Sequence, residues 1–315
     1  MEWMQILTDV ILPIFVMIGI GILVDRSFKI DLPTLATLNF YVLVPALLFY
    51  LLSRSALHGS DLTRIALFTL GHAIVLFALG FGLFSMKEFK SSRVVMAMSS
   101  GFYNCGNYGI PLITLAFSAE AAGILAAVIM IQNLLNYTVG VLVFEKKKKS
   151  LARALAGLLK IPIIWAVAAG LAVNYLNLQM PVAVEDPITR MADCLVGMAL
   201  FTLGVQLSRS LGFHQIFKLS FLSFVRLIIS PVLAFFMVGF FGIQGETAQV
   251  LIVVSGAPVA VNVYIIAAKY KMDDDLASLA VFWTTLLSAA TVTALLLMVD
   301  RLQDFIPPIL LFAGQ

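Results

Sequence analysis

Stretches of about 20 apolar residues alternate with short polar segments along almost the whole chain. A helix needs about 20 such residues to cross the hydrocarbon core of a bilayer. The pattern therefore predicts an all-α, polytopic membrane protein with ten transmembrane helices. Their expected bounds are roughly 5–24, 33–53, 63–86, 93–117, 121–144, 161–178, 188–208, 219–242, 247–269 and 276–299.

Composition supports a chain that lies mostly within the membrane. Of 315 residues, 61% are hydrophobic and 12% are charged, whereas about a quarter of the residues in soluble domains are charged. Lys and Arg form no tract with interleaved aromatics, so we expect no nucleic acid as a partner. The two cysteines, Cys105 and Cys194, fall in apolar segments without metal-ligand spacing, and we expect small buried side chains there and no cofactor.

The basic residues predict the orientation of the chain in the cell membrane. With the N-terminus outside, fifteen Lys and Arg residues fall in cytoplasmic loops and four fall outside. Cytoplasmic loops of membrane proteins carry this excess, so we expect both termini to face outward. The run Lys146–Lys149 is interpreted as an orientation anchor, with an anionic-lipid or partner site as the alternative.

Two halves of the chain share a pattern. Ser100-Gly101 with Asn107 six residues after Gly101 recurs as Ser255-Gly256 with Asn262, at a displacement of 155 positions. Ser53-Arg54 and Ser208-Arg209 are also 155 apart. The matches predict two five-helix repeats, 1–149 and 150–315, within one membrane domain. Because five is odd, the second repeat enters the membrane from the opposite side and the repeat is inverted, as in many secondary transporters.

The predicted fourth and ninth helices are each interrupted by proline, glycine and polar residues. A proline removes its own amide donor and frees a carbonyl one turn earlier. We therefore predict helix breaks that cross near the membrane midplane, formed by Gly101, Gly109, Pro111, Gly256 and Pro258. Half-helix N-termini at such a crossing favour an anion. The candidate substrate-binding residues are Asn104, Asn107, Asn262, Ser255 and Gln132. The alternative is a pair of kinks with Asn side chains that bridge helices.

Other polar residues in the spans carry weaker signals. Gln132 and Asn136, four positions apart, lie on one helix face and either line the cavity or bond to a neighbouring helix. We expect Asp193 to pair with Arg190, and Arg226 to pair or to extend toward the membrane surface. The role of His72 is left open.

Several motifs resemble the auxin efflux carrier family, which includes plant carriers and bacterial carboxylate permeases. The similar segments are Gln132-x4-Tyr137-Thr138, Phe144-Glu145, Gly109-Ile110-Pro111-Leu112 and Asn104. The resemblance implies crossed fourth and ninth helices and transport of carboxylate anions by an elevator-like motion, with Asn104 at the substrate carboxylate. Tyr103 stands where the plant carriers have a proline, and their long central loop is missing. These departures favour a small organic acid over auxin.

The leading hypothesis is therefore a secondary active transporter of a small carboxylate in the cell membrane, and not an enzyme, since no catalytic motif is present. One alternative is a sodium-coupled symporter of the bile-acid-transporter type, and another is a receptor or channel. The expected partners are the substrate and membrane lipid. A coupling proton or sodium ion and a homodimer are left open.

Overall fold

The computed structural model describes residues 3–55, 59–144, 161–210, 212 and 214–302. The basic run Lys146–Lys149, Glu145 and the expected boundary between the two halves lie outside these residues. The described chain is helical and contains no β-strand. The helices are α1 Trp3–Phe28, α2 Leu32–Ser53, α3 Gly59–Leu83, α4 Arg93–Gly101, α5 Gly109–Ala116, α6 Ala119–Phe144, α7 Pro162–Tyr175, α8 Val182–Ser208, α9 Ile216–Phe240, α10 Gly245–Ser255, α11 Val261–Lys269 and α12 Asp274–Leu302.

Six of the helices within the described residues are long and apolar enough to cross a membrane, namely α1, α2, α3, α8, α9 and α12. Of the remaining predicted spans, the fifth is covered by the continuous 26-residue α6, one is shorter and two are interrupted. Pro162–Tyr175 has 14 residues, and the predicted fourth and ninth spans are each divided into two short helices. The expected all-helical architecture with several membrane spans therefore holds, and the two predicted interruptions are present.

Wide π-helical turns occur inside three of the long helices. They cover Ile6–Ile11, Asn39–Leu43 and Val225–Ile229, and each ends two residues before a proline: Pro13, Pro45 or Pro231. A proline cannot donate to the carbonyl one turn earlier, and a local π turn lets that carbonyl find another amide. The turns also carry two polar side chains, Asn39 and Arg226, into the protein interior.

One group of helices is joined by very close backbone contacts. A Cβ atom added to Gly21 of α1 would lie 2.3 Å from the carbonyl oxygen of Phe201 in α8, and one added to Gly204 would lie 2.1 Å from that of Ile18. Helices α2 and α7 approach similarly, because a Cβ on Gly170 would be 2.9 Å from the Phe49 carbonyl oxygen. Small residues permit such close packing in membranes. Helices α1, α2, α7 and α8 thus form one compact group, which we call the first helix group.

The other helices form a second group around the two interrupted spans. Within it, α3 packs on α4 and α6, α9 packs on α10, and α12 packs on α10 and α11. Contacts between α2 and α6 are among those that join the two groups. The polar cavity described below lies between them.

The surface ion pair expected in α8 has a different partner. Arg190 bonds Asp186, at 3.0 Å, and not Asp193. The helix begins at Val182, six residues before the predicted start. Asp186 is therefore available one helical turn before Arg190, where i,i+4 pairs meet.

Candidate anion-binding site

The two interrupted spans meet at their breaks. Helix α4 ends at Gly101 and α5 begins at Gly109, while α10 ends at Ser255 and α11 begins at Val261. The intervening segments pair in antiparallel fashion, with Tyr103 opposite Val259. The Asn104 amide donates to the Pro258 carbonyl at 2.8 Å, and the Ala260 amide donates to the Phe102 carbonyl at 3.0 Å. Backbone groups released by each break are thus satisfied by the other, as the membrane interior requires.

Prolines and glycines fit this crossing in different ways. Pro111 lies in the first turn of α5, where the missing amide has no intrahelical partner to lose. Pro258 lies in the break, and its carbonyl accepts the Asn104 amide. Gly101 permits close approach, since a Cβ there would be 2.9 Å from the Ala73 carbonyl oxygen. Gly109 and Gly256 have ordinary negative φ angles, so neither is required for a left-handed turn.

Asn104 has one satisfied side-chain atom and one unsatisfied one. Its Oδ1 accepts a hydrogen bond from the Asn107 amide at 3.1 Å. A backbone N–H can only donate, so the side-chain atom that faces the Asn107 N–H is the oxygen. The Nδ2 group of the same side chain therefore lies on the opposite side. The side chain is buried, yet Nδ2 has no hydrogen-bond partner in the protein. Asn104 lines the cavity, and its side chain thus carries a buried donor without a partner beside it.

A cavity of about 710 Å³ opens beside the crossing. Four of the predicted substrate-binding residues line it: Asn104, Asn107, Asn262 and Gln132. The Nδ2 of Asn262 donates to Oδ1 of Asn133 on α6 at 3.3 Å, which holds the start of α11 against α6. The predicted break residues stand behind this wall and do not line it: Gly101, Gly109, Pro111, Gly256 and Pro258.

Ser255, the fifth predicted binding residue, does not line the cavity. Its hydroxyl donates to the Ile252 carbonyl of its own helix at 2.6 Å. Its carbonyl accepts hydrogen bonds from the hydroxyl of Ser230, at 2.7 Å, and from the guanidinium of Arg226. In the structure, Ser255 thus belongs to the buried end of α10 and contributes its main chain to an interaction behind the crossing.

Other amide side chains with unpaired atoms also line the cavity. Asn39 of α2 and Gln206 of α8 come from the first helix group, and Gln132 and Asn136 come from α6. All four are buried, and each has at least one side-chain polar atom without a partner. The Gln132 amide lies beside the Tyr103 hydroxyl, but neither group has a partner in hydrogen-bond geometry. Buried polar atoms without partners cost about 1–3 kcal/mol each, so their concentration here indicates a ligand or water site.

The charged groups at the cavity are one ion pair and the N-terminus of a helix. Among the described residues that line it, the only charged side chain is Arg209, just after α8. Its Nη2 bonds Oδ1 of Asp25 at 2.7 Å, and the Arg209 side chain is 43% exposed while that of Asp25 is 8% exposed. The cavity wall also includes Val261, the first residue of α11. The free amides of a helix N-terminus carry partial positive charge.

Sequence reasoning missed the most buried charge in the described chain. Arg226 was expected to reach the membrane surface or to pair with an acidic group, but its side chain is completely buried behind the crossing. It bonds main-chain carbonyls and lies under the Tyr103 ring, with 4.9 Å between the guanidinium carbon and the ring centroid. A lone arginine in the middle of an apolar span was the available signal. Asn39 and Gln206 were missed because nothing in the sequence places α2 and α8 beside the breaks.

Comparison with known proteins identifies the family. Residues 5–296 match the family described as "Membrane transport protein". The chain belongs to this family of membrane transporters. The match covers nearly the whole chain and confirms the resemblance to the auxin efflux carriers. The family consists of transporters and not of enzymes.

Individual relatives of this transporter are similar over most of its length. A Rhizobium meliloti protein named "Putative malonate transporter" is 28% identical over 306 residues, which cover 93% of this chain and 96% of the relative. An "Uncharacterized transporter" of Methanothermobacter thermautotrophicus is 25% identical over 89% of this chain and 94% of the relative. A rice protein named "Probable auxin efflux carrier component 9" is 28% identical over 41% of this chain and 32% of its own length.

Proposed function

We propose that this transporter is a secondary active carrier of a small organic anion, whose carboxylate binds at the crossing of the two interrupted spans. The observation that carries the proposal is the unpaired Nδ2 donor of Asn104 at the cavity wall. A buried donor without a partner is costly, and a carboxylate oxygen would satisfy it with a charge-assisted hydrogen bond. Asn107, Asn262 and Gln132 complete the expected substrate-binding set.

The N-terminal end of α11 supports an anion over a cation. This short helix begins beside the cavity, and its first two residues, Val261 and Asn262, line it. Helix N-termini point amide groups and partial positive charge at a ligand, which favours carboxylates. The absence of acidic side chains among the described lining residues removes the repulsion that a bound anion would meet. The amides of Asn39, Gln132 and Gln206 then serve the remaining polar groups of the substrate.

A ten-helix plan of two inverted five-helix repeats, 1–149 and 150–315, is supported by matching contacts. Ser92, before α4, donates to the Asp273 carboxylate before α12. Ser118, before α6, donates to Glu246 at the start of α10, at 2.7 Å. Ser92 and Glu246 are 154 positions apart, and Ser118 and Asp273 are 155 apart, so one contact reproduces the other with serine and acid exchanged. The crossing is then the meeting point of equivalent breaks.

Alternating access is proposed to arise from an elevator-like shift of the second helix group, which carries the crossing, against the first. The close glycine contacts within the first helix group suit a rigid scaffold. The cavity extends from the crossing toward Leu32, Arg209 and Ser278. That end of the molecule also carries the excess of Lys and Arg in the loops, so by the positive-inside rule the cavity faces the cytoplasm and both termini face outward in the cell membrane.

The substrate class is proposed from the polar groups of the lining together with the relatives. The cavity offers several amide groups and one arginine among apolar and aromatic side chains, a lining that suits an organic anion. The similarity to a protein named for malonate agrees with a small mono- or dicarboxylate. Malonate is therefore the probe with which the proposal is tested.

The first experiment measures malonate binding to the purified protein in lipid nanodiscs by thermal shift and by isothermal titration. A ligand that binds only the folded state raises the melting temperature. We expect malonate to raise it and the double variant Asn104→Ala/Asn262→Ala to fold but lose this response. Asn174→Ala is the matched control, because Asn174 bonds the Ser53 and Ser55 carbonyls away from the cavity. A double variant that binds malonate with wild-type affinity would show that the site is misplaced.

A transport assay in proteoliposomes separates this proposal from its alternatives. If the protein is a carrier, malonate uptake should be saturable and should show counterflow. No current should flow in the absence of substrate. Strict dependence of uptake on sodium would favour a symporter of the bile-acid-transporter type. Conductance without substrate would favour a channel.

A further inference from the structure

Arg226 joins the ends of both interrupted helices. Its Nη1 donates to the Ser100 carbonyl at 2.7 Å, and its Nη2 donates to the Ser255 carbonyl and to the Ser230 hydroxyl. Ser100 lies at the C-terminal end of α4 and Ser255 at that of α10. The two residues are 155 positions apart, so one guanidinium binds the same carbonyl of both repeated motifs.

The helix ends at this point need a positive charge. The last carbonyls of a helix have no intrahelical partner and carry partial negative charge. Here two such ends converge inside the protein, where Ser100, Ser255 and Arg226 are all fully buried. Carbonyl oxygens that converge in this way can bind a metal cation. In this chain the guanidinium of Arg226 already occupies the position between them.

We propose that Arg226 is the resident cation of the crossing, neutralising the C-terminal ends of α4 and α10 in place of a metal ion and making the cavity selective for anions without sodium. This inference rests on the proposed function, because it assigns the charge that this site uses to bind its substrate. Arg226 acts as a positioning and electrostatic residue and does not contact the substrate, since it does not line the cavity.

The Tyr103 ring connects this charge to the cavity. One face of the ring lies over the guanidinium, at 4.9 Å, and Tyr103 also lines the cavity. An anion bound beside Tyr103 is therefore close to a buried positive charge that contacts the same side chain. No acidic side chain bonds Arg226 in the described structure, and its hydrogen bonds go to carbonyl and hydroxyl oxygens. Its charge is therefore not cancelled by a carboxylate and acts on the cavity through a low-dielectric interior.

A network of neighbours holds the guanidinium in place. The Ser230 hydroxyl also donates to the Ser255 carbonyl at 2.7 Å. His72 Nε2 lies 3.1 Å from the Ser230 carbonyl, and its ring stacks on Phe68 and meets the edge of Tyr103. These contacts fix Arg226 from α3 and from its own helix, which accounts for an arginine whose side chain is completely buried.

The test combines charge variants with a probe that needs no known substrate. Both native cysteines are replaced by alanine and Val261, which lines the cavity, is replaced by cysteine. The rates of modification by an anionic methanethiosulfonate, the sulfonatoethyl reagent, and a cationic one, the trimethylammonium-ethyl reagent, are then compared. We expect Arg226→Met to lower the anionic-to-cationic rate ratio by about tenfold and Arg226→Lys to retain most of it. Arg190→Met, which removes an exposed surface charge, is the control and should leave the ratio unchanged.

Malonate binding provides the second measurement. For the wild-type protein, we expect the same dissociation constant in sodium chloride and in choline chloride. Arg226→Met should bind at least about tenfold more weakly and Arg226→Lys should recover most of the affinity. An unchanged rate ratio in a folded Arg226→Met protein, or wild-type binding that requires sodium, would overturn the inference, and the second result needs no variant to fold. If malonate and other small carboxylates do not bind the wild type at all, the proposed function fails, while the rate ratio still tests the charge of Arg226.

Discussion

At the scale of single residues, Asn104 combines a structural and a proposed binding role in one side chain. Its oxygen accepts from the Asn107 amide in the break, and its Nδ2 group has no partner in a residue that lines the cavity. The two roles are separable, because aspartate preserves the acceptor oxygen and removes the donor. This separation gives a sharper test than removal of the whole side chain.

We therefore predict that Asn104→Asp folds with nearly wild-type stability but binds malonate at least about tenfold more weakly, a loss of roughly 1.4 kcal/mol. The carboxylate still accepts from the Asn107 amide, but it repels an anion where the wild type donates a hydrogen bond. Isothermal titration measures the affinity and thermal unfolding measures the stability. Wild-type affinity of this variant for malonate would show that Asn104 does not bind the substrate.

Substitution of Gln132 should raise the stability of the protein while it weakens substrate binding. Both polar atoms of its buried amide lack partners, so Gln132→Met should raise the free energy of unfolding of the ligand-free protein by about 1 kcal/mol. The same change should weaken malonate binding, because the unpaired amide is held for a ligand. Chemical denaturation and titration measure the two effects.

The matched control for Gln132 is Thr285→Val. Thr285 is buried in the second helix group, its hydroxyl bonds the Val281 carbonyl at 2.7 Å, and it lies away from the cavity. This control should leave malonate binding unchanged. If Gln132→Met lowers stability and leaves binding intact, its amide is a structural group.

The sequence predicted the site residues that belong to the breaks, but not those that distant helices bring to the crossing. Asn104, Asn107 and Asn262 follow from the breaks themselves, because a polar residue beside a proline or glycine in an apolar span is visible in one segment. Asn39, Gln206 and Arg226 come from distant helices, and only the packing brings them to the crossing. Ser255 was assigned to the cavity because of its position in the motif, but helix geometry turns its hydroxyl toward Ile252.

At the scale of helices, prolines determine where the chain departs from α-helical geometry. Where no glycine or asparagine lies within five residues of the proline, as at Pro13, Pro45 and Pro231, the helix continues through a π turn. Where glycine and asparagine accompany Pro111 and Pro258, the helix ends and restarts. The sequence predicted the two complete breaks, but it gave no sign of the π turns, since a change from α to π costs only a local rearrangement of hydrogen bonds.

Helix contacts in the first helix group predict a large effect of one methyl group. Gly204→Ala should lower the free energy of unfolding by about 1–3 kcal/mol, because its Cβ would lie 2.1 Å from the Ile18 carbonyl oxygen and α1 and α8 must separate. Gly197→Ala in the same helix meets no atom within 4 Å and is the control. Equal melting temperatures for the two variants would show that the helices do not pack as described.

At the scale of the whole molecule, the sequence predicts the repeat but not the division into two helix groups. Motifs 155 positions apart indicated the repeat from the sequence, and the exchanged Ser92–Asp273 and Ser118–Glu246 contacts support it. The division into groups could not be predicted, because apolar helices in lipid differ little in composition and small residues such as Gly21 mark a contact without naming its partner. The proposed motion depends on that division.

A reversible crosslink between the two helix groups tests whether transport requires the second group to move against the first. Ser210, just after α8, and Ser278 of α12 lie with their hydroxyl oxygens 2.7 Å apart at the cavity. In a protein whose native cysteines are replaced by alanine, Ser210→Cys/Ser278→Cys should form a disulfide that holds this arrangement. Each single-cysteine variant is the control for oxidation.

The measurement is malonate binding and uptake by this variant in proteoliposomes, before and after reduction with dithiothreitol. We predict that the oxidised protein binds malonate but does not transport it, and that reduction restores uptake. Uptake at the same rate by fully crosslinked protein would contradict an alternating-access motion of the second helix group against the first.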